Sequence, residues 1–239
     1  MTTPTTSFGF VALILVMACD GPRAPTDDST AEVTALPLGA AASELTPEEH
    51  YRDHADEYTT ERTVLSGLGG RVVRVPGVLR IVPRSGDTVV LRDSITDGDA
   101  FIRYVYASYQ RALDAHVVDV RYYEGGGALV VSDSTGRKTY LADLPRLSPD
   151  SVRFAVVSFD LEAGYEPNRV EIWRPGADSL VSEFAHDFGT AAGPDSAVWR
   201  SADTLSFVRT RYVTFDSYER TPSRLIRRNG AWRIEPPPR

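Results

Sequence analysis

Beyond Gly70 the sequence alternates. Thirteen short runs, from "RVVRV" at residue 71 through "TVVLRD", "FIRYVYASY", "HVVDVRYY", "RFAVVSFD" and "RVEIWRP" to "AWRIE" at 231, are rich in β-branched and aromatic residues. Turn dipeptides separate them, among them Ser85-Gly86, Thr135-Gly136, Pro175-Gly176 and Asn229-Gly230. A side-chain period of two places alternate residues on opposite faces of an extended chain and leaves no helical stripe. Runs this short, punctuated by turns that supply positive φ, read as antiparallel strands joined by tight hairpins. The expected fold class over residues 70–239 is therefore all-β.

A repeat lies beneath the strands. Hairpin-like units begin near Val78, Ala128, Val170 and Arg224, and three preceding strands carry Ile102, Phe154 and Ser206 at intervals of 52 residues. Periods of about 40–50 residues are those of propeller blades. Within this frame, Leu147-Ser148-Pro149-Asp150-Ser151 resembles the "WSPDG" corner of Tol-type and WD-repeat propellers, with Leu for Trp and Ser for Gly. "VEIWRP" resembles their "v-x-I-W" strand, with Trp173 in the Trp position, and "PDSAVWRSADTLSFV" is a weaker copy of the unit. The resemblance implies a propeller-like array of about four small antiparallel sheets; a β-sandwich is the alternative. Pro149 fixes φ and Asp150 accepts hydrogen bonds around the turn, which suits a tight link between blades. Trp173 is expected to pack between neighbouring sheets.

The beginning of the chain reads differently. Phe8 to Ala18 is an uncharged apolar run, well short of the roughly 20 residues that span a bilayer as a helix, and it ends at Cys19, the one cysteine of the chain. A run of this length before a small residue matches the apolar part of a secretory signal. "VMAC" (16–19) resembles the lipobox of bacterial lipoproteins, although "MTTPTTS" before the run has no Lys or Arg. The resemblance implies a signal peptide over 1–18, cleavage before Cys19, and acylation of its thiol and new amino terminus (palmitate among the acyl chains). Two or more chains anchor stably where one is marginal, at about 0.8 kcal/mol per buried CH2. A lone cysteine also excludes an intramolecular disulfide and any cysteine-based metal motif.

From Cys19 to Ser43 the composition is Pro, Gly, Ala, Ser, Thr and Asp, the signature of a flexible tether. A helix is expected within 44–69: Thr46 serves as N-cap, Pro47 suits the first turn, and Glu49 completes a capping box. Tyr51, Ala55, Tyr58 and Leu65 share its apolar face.

Net charge is −7, which excludes the basic surface that sequence-independent nucleic-acid binding requires; no nucleic-acid partner is expected. Chemistry-bearing patterns are incomplete. His50 and His54 have the i, i+4 spacing of a zinc helix, but Tyr51 stands where the general base belongs and no third ligand is evident. "STGRKT" (134–139) breaks phosphate-loop spacing and reads as a hairpin turn; "TDGD" (96–99) lacks a full calcium loop. His116 and His186 stand alone on strands or their ends and read as structural. No G-x-S-x-G occurs. No catalytic residue, metal ligand or cofactor is assigned.

Tyrosines cluster instead. Tyr104, Tyr106, Tyr122 and Tyr123, with Arg103 and Arg121 among them, form a candidate interaction surface of the residue types interfaces favour, while ordinary cross-strand packing is the competing account. The "YYEGGG" tip reads as a flexible exposed loop. The expectation is an envelope lipoprotein, held to a membrane through Cys19, with a non-catalytic protein-interaction or scaffold role and an envelope protein as partner. The alternative is a glycan-binding module or a polysaccharide-acting hydrolase.

Overall fold

The computed structural model describes residues 46, 49, 52–56, 58–96, 98–214 and 217–235. The expected signal segment, Cys19 and the tether lie outside the described residues, as do His50 and Tyr51.

Each antiparallel sheet is a meander of consecutive strands. Sheet 1 holds β1 (Val72–Val75), β2 (Val78–Ile81) and β3 (Val89–Arg92). Sheet 2 holds β4 (Ile102–Gln110), β5 (Ala115–Tyr122), β6 (Gly126–Ser132) and β7 (Lys138–Leu141). Sheet 3 holds β8 (Arg146–Leu147), β9 (Phe154–Ser158), β10 (Arg169–Pro175) and β11 (Leu180–Asp187). Sheet 4 holds β12 (Ala192–Ser201), β13 (Thr204–Thr214), β14 (Ser217–Arg228) and β15 (Ala231–Glu235). Every alternating run falls on a strand, and the four repeat origins sit on β2, β6, β10 and β14, four strands apart each time. In that register sheet 1 has the last three strands of the unit, with no counterpart of β4, β8 or β12 among the described residues.

The sheets stack face to face in chain order. Val72, Leu79, Ile81 and Leu91 of sheet 1 meet Tyr104, Tyr106, Val118, Val120, Leu129 and Val131 of sheet 2. The other face of sheet 2 offers Ala115, Val117, Ala128 and Val130 to Phe154 and Val156 of sheet 3. Sheet 3 turns Ala155, Val157, Val170 and Ile172 toward Leu205, Phe207, Leu225 and Trp232 of sheet 4. Sheets 2 and 3 are thus buried on both faces, which is why β6 and β9 read as nearly continuous apolar runs rather than strict alternations. Four layers in sequence are propeller-like and depart from a two-layer sandwich. Trp173 packs, half-buried, in the core between sheets 2 and 3 as expected.

The Ser-Pro-Asp corner lies elsewhere than anticipated. It joins β8 to β9 inside sheet 3 rather than linking two sheets. Ser148 Oγ donates to Asp150 Oδ1 (2.6 Å) and accepts from Arg153 N (3.1 Å), while Asp150 accepts from Val152 N. Ser151, standing where the propeller pattern has Gly, takes a left-handed φ of 58°, and Ser196 of the weaker copy does the same at 54°. Hydrogen bonding of the short side chains at the turn holds a conformation that glycine adopts without strain. The Thr135-Gly136 pair turns between β6 and β7 with Gly136 at φ 69°, as the hairpin reading required.

The capping box forms: Glu49 N donates to Thr46 Oγ1 (3.3 Å), and Thr46 N donates to Glu49 Oε2 (2.9 Å). Helical structure is interrupted by a turn at 54–56 and resumes as α1 (Thr59–Ser66). The break coincides with Tyr58, which is buried with the guanidinium of Arg74 5.5 Å and that of Arg103 5.8 Å from its ring centre.

Helix α1 docks on β4 through charge. Glu61, 1% exposed, accepts from Arg74 Nη2 (2.9 Å), Arg74 Nε (3.1 Å) and the backbone N of Tyr106 (2.7 Å). Asp93 accepts from Tyr104 N (2.9 Å), and Arg74 also bonds Asp93 and the Tyr104 carbonyl. Strand β4 is an edge of sheet 2, so these carboxylates occupy backbone donors that a foreign strand would otherwise capture.

A second buried cluster ties sheet 1 to sheet 2. The Tyr106 hydroxyl lies 2.9 Å from His116 Nδ1, and His116 Nε2 lies 3.4 Å from Asp133 Oδ1. Asp133, fully buried, also accepts from Arg84 N (3.0 Å), Arg84 Nε (3.0 Å), Tyr109 Oη (3.3 Å) and Arg71. A neutral His116 satisfies the whole set, accepting at Nδ1 from Tyr106 and donating at Nε2 to Asp133. Burial pushes the His116 pKa down, against the opposing pull of Asp133. The unfolded chain takes up a proton near pH 6.5 that the folded chain refuses, so folding stability should fall as pH drops below about 6.5. Urea unfolding at pH 7.5 and 5.5 should show this loss, and His116→Gln should flatten it.

Candidate interaction surface

The stacking separates the six residues singled out in the sequence. Tyr104 and Tyr106 share one face of β4 and point into the core against sheet 1; Arg103 is buried beside Tyr58. With exposures of 8%, 1% and 7% these three belong to the fold. The expected surface reduces to Arg121, Tyr122 and Tyr123, at the tip of the β5–β6 hairpin. Arg121 Nε donates to Asp119 there (3.0 Å). Tyr104 and Tyr106, two residues apart on an extended strand, share a face as the strand period requires, and sheet 1 covers that face.

Other aromatic side chains are exposed to a similar degree. Tyr140, Tyr165, Phe159 and Tyr218, from β7, the β9–β10 loop and β14, are like Tyr122 and Tyr123 between 40% and 60% exposed. Tyr122 and Tyr140 both lie beside the buried Tyr104, with Tyr140 within hydrogen-bonding reach of its hydroxyl, and Tyr122 also neighbours Glu166. Tyr165 bonds the Glu124 carboxylate, which raises the pKa of its phenol. Tyr218 donates to Glu162 (3.0 Å) and stacks on Tyr212, ring centres 4.9 Å apart.

The loops that carry this rim are held internally. Glu166 Oε1 accepts from Gly126 N (2.9 Å), and burial raises the Glu166 pKa. The "YYEGGG" tip is therefore fastened to the β9–β10 loop. A Cβ on Gly125, at φ 95°, would stand 2.7 Å from the Glu166 carboxylate, and one on Gly127 would meet the Leu141 carbonyl at 2.7 Å. Asp160 accepts from Ala163 N, Tyr165 N and Glu166 N (2.9, 2.7 and 3.1 Å). Burial works against its charge, but these donors outweigh it and hold the carboxyl below the usual range. Asn168 clamps the same loop, accepting from Asp160 N (2.8 Å) and donating to the Asp160 and Gly189 carbonyls.

The remaining motif residues do not converge. His186 lies on β11 and stacks edge-on against Phe188, ring centres 4.5 Å apart. His54 lies in the turn before α1, and residues 98–100 form a single 3-10 turn. Among the described residues no three His, Cys, Asp or Glu side chains gather as a metal site would require. Among the described residues, too, no helix is long and apolar enough to cross a membrane.

No protein-family model matches the chain, and no curated protein sequence does. Among solved structures, the chain is similar to the N-terminal domain of Nup159, at 11% identity and a TM-score of 0.32. The match covers 70% of this chain and 47% of that one, so the chain spans about half the length of the structure it matches. A likeness that faint adds nothing to the fold as read from the sheets themselves.

Proposed function

We propose that the chain is a lipid-anchored binding protein of the bacterial cell envelope, non-catalytic, that engages a basic segment of an envelope protein through its tyrosine rim. The observation that carries this reading is the rim itself. Half-exposed Tyr122, Tyr123, Tyr140 and Tyr165 stand beside Glu124 and Glu166 on loops fixed from within. Tyrosine supplies large contact area at small entropic cost, and aromatic faces next to carboxylates attract Lys and Arg side chains by cation–π and charge. Pre-organised loops keep the cost of binding low. The anchor rests on the apolar run and "VMAC" at 16–19.

The test is a crosslinked pull-down of the C-terminally tagged, detergent-extracted full chain from its own cells. The wild type should recover one envelope protein. The Cys19→Ser form should recover less and lose metabolic palmitate labelling, and the Tyr122→Ala/Tyr123→Ala form should recover at least about tenfold less, as loss of two aromatic anchors implies. An abundant, folded bait that captures nothing, or capture indifferent to both tyrosines, refutes the reading.

A further inference from the structure

Beyond the tyrosine tip, the β9–β10 loop and strands β12, β13 and β14 enclose an open cleft of about 420 Å3, within the range of roughly 300–1,000 Å3 typical of ligand sites. Two aromatic side chains border it, Phe159 and Tyr218, at 41% and 43% exposure. Gly193 lets the Phe159 ring come this near, since a Cβ there would stand 2.7 Å from the ring edge. Tyr218 is fixed by Glu162 and Tyr212.

The polar lining is mixed. Glu162 Oε1 accepts a hydrogen bond from the Tyr218 hydroxyl, while no described residue engages Oε2. Arg220 bonds Asp195 through Nη2, which neutralises that carboxylate and leaves the rest of the guanidinium fork open. Thr210 also lines the cleft; it is 3% exposed, and its hydroxyl finds no partner among the described residues. A buried hydroxyl without a partner is uncommon in folded proteins and asks for a ligand or a water.

This set narrows the chemistry. An anion meets Glu162, a simple cation meets Arg220, and neither uses an open donor and open acceptors at once. A hydroxyl is donor and acceptor together, and a pyranose ring adds an apolar C–H face for the aromatic walls. We propose that the cleft is a subsite for a neutral saccharide ring, held against both Phe159 and Tyr218 and hydrogen-bonded by Glu162, Arg220 and Thr210. The proposal does not depend on the protein-interaction reading: of its tyrosines only Tyr165 shares the β9–β10 loop, and none of Tyr122, Tyr123, Tyr140 and Tyr165 lines the cleft.

The experiment uses the purified full chain carrying Cys19→Ser, screened on an array of neutral oligosaccharides built from glucose, galactose, mannose and N-acetylglucosamine, followed by titration calorimetry. One sugar class should bind with a Kd of about 0.1–1 mM, the weak range expected of a single open subsite. Phe159→Ala and Tyr218→Ala should each weaken it at least about tenfold, and Thr210→Val severalfold, with thermal unfolding confirming that each variant is folded. Tyr122→Ala/Tyr123→Ala should leave it unchanged. No neutral sugar binding at about 10 mM, binding indifferent to Phe159 and Tyr218, or occupation of the cleft by a cationic peptide alone each overturns the proposal.

Discussion

Glu61→Ala should cost the protein about 3–5 kcal/mol of unfolding free energy, a figure set by what removal of one partner does to a buried ion pair. Against a typical total of about 5–15 kcal/mol, that loss places the variant near the limit of folding. Glu61 is the point where α1, sheet 1 and sheet 2 meet. Its two oxygens hold Arg74, whose side chain is 2% exposed, and the backbone N of Tyr106. Alanine leaves buried Arg74 with Asp93 and the Tyr104 carbonyl alone and strips Tyr106 N of its side-chain acceptor, and water reaches neither without opening the structure. Glu61→Gln keeps an acceptor for Tyr106 N but removes the charge, so its loss should be smaller than that of alanine. Urea denaturation followed by tryptophan fluorescence measures both. A Glu61→Ala midpoint within experimental error of wild type means that apolar packing of Val64, Leu65 and Leu68, not the charge cluster, docks the helix.

Asp133→Ala should be comparably damaging, again about 3–5 kcal/mol. Here the buried group left without its partner is His116 Nε2, and Arg71 and Arg84 lose their shared carboxylate, although the Arg84 backbone N keeps the Asp133 carbonyl, the Arg84 guanidinium keeps Asp114 and Arg71 keeps the Val82 carbonyl. Arg71 precedes β1 and Arg84 follows β2, whereas His116 lies on β5, so the carboxylate fastens sheet 1 to sheet 2. Arg71 and Arg84 are partly exposed, at 40% and 60%, so most of the cost falls on the groups with no access to water. Burial disfavours the Asp133 charge, but hydrogen bonds from Arg71 and Arg84 N outweigh it and hold the carboxyl below the usual range. The sign follows: this stabilisation is fully present above the unfolded Asp pKa of about 3.9 and is lost as pH falls through the lower folded value. The acid limb of the stability profile below about pH 4 should therefore flatten in Asp133→Ala, separately from the His116 limb near pH 6.

His116 and Asp133 show where sequence reading stopped. Each alone is an ordinary strand or turn residue, and the pair becomes a structural relay only because β5 and the β6–β7 turn bring them together 17 residues apart. Glu61 and Arg74 are the same case: nothing in "TTERTVLS" or "RVVRV" says that a carboxylate on one and a guanidinium on the other are buried together.

The candidate surface was half legible. Tyr122 and Tyr123 stand next to a glycine run that must turn, so their exposure follows from local chemistry. Tyr104 and Tyr106 carry the same residue type and the same period, and their fate depends on whether another sheet lies over them. Tyr140, Tyr165, Phe159 and Tyr218 come from a strand, a loop and a hairpin, and only the tertiary structure decides that each of them stays exposed.

Alternation, turn residues and the Thr46–Glu49 box determined the strands, their hairpin pairing and the helical start, because backbone sterics and hydrogen bonding act over a few residues and are written in each short segment. The repeat of the hairpins determined that successive sheets are built alike. Which face of each sheet is covered, which charges are buried with which, and which tyrosines meet solvent were decided by the tertiary structure alone. Those outcomes depend on contacts between residues far apart in the chain, and a face that is apolar in sequence becomes core or surface only when a neighbouring sheet is present to exclude water from it.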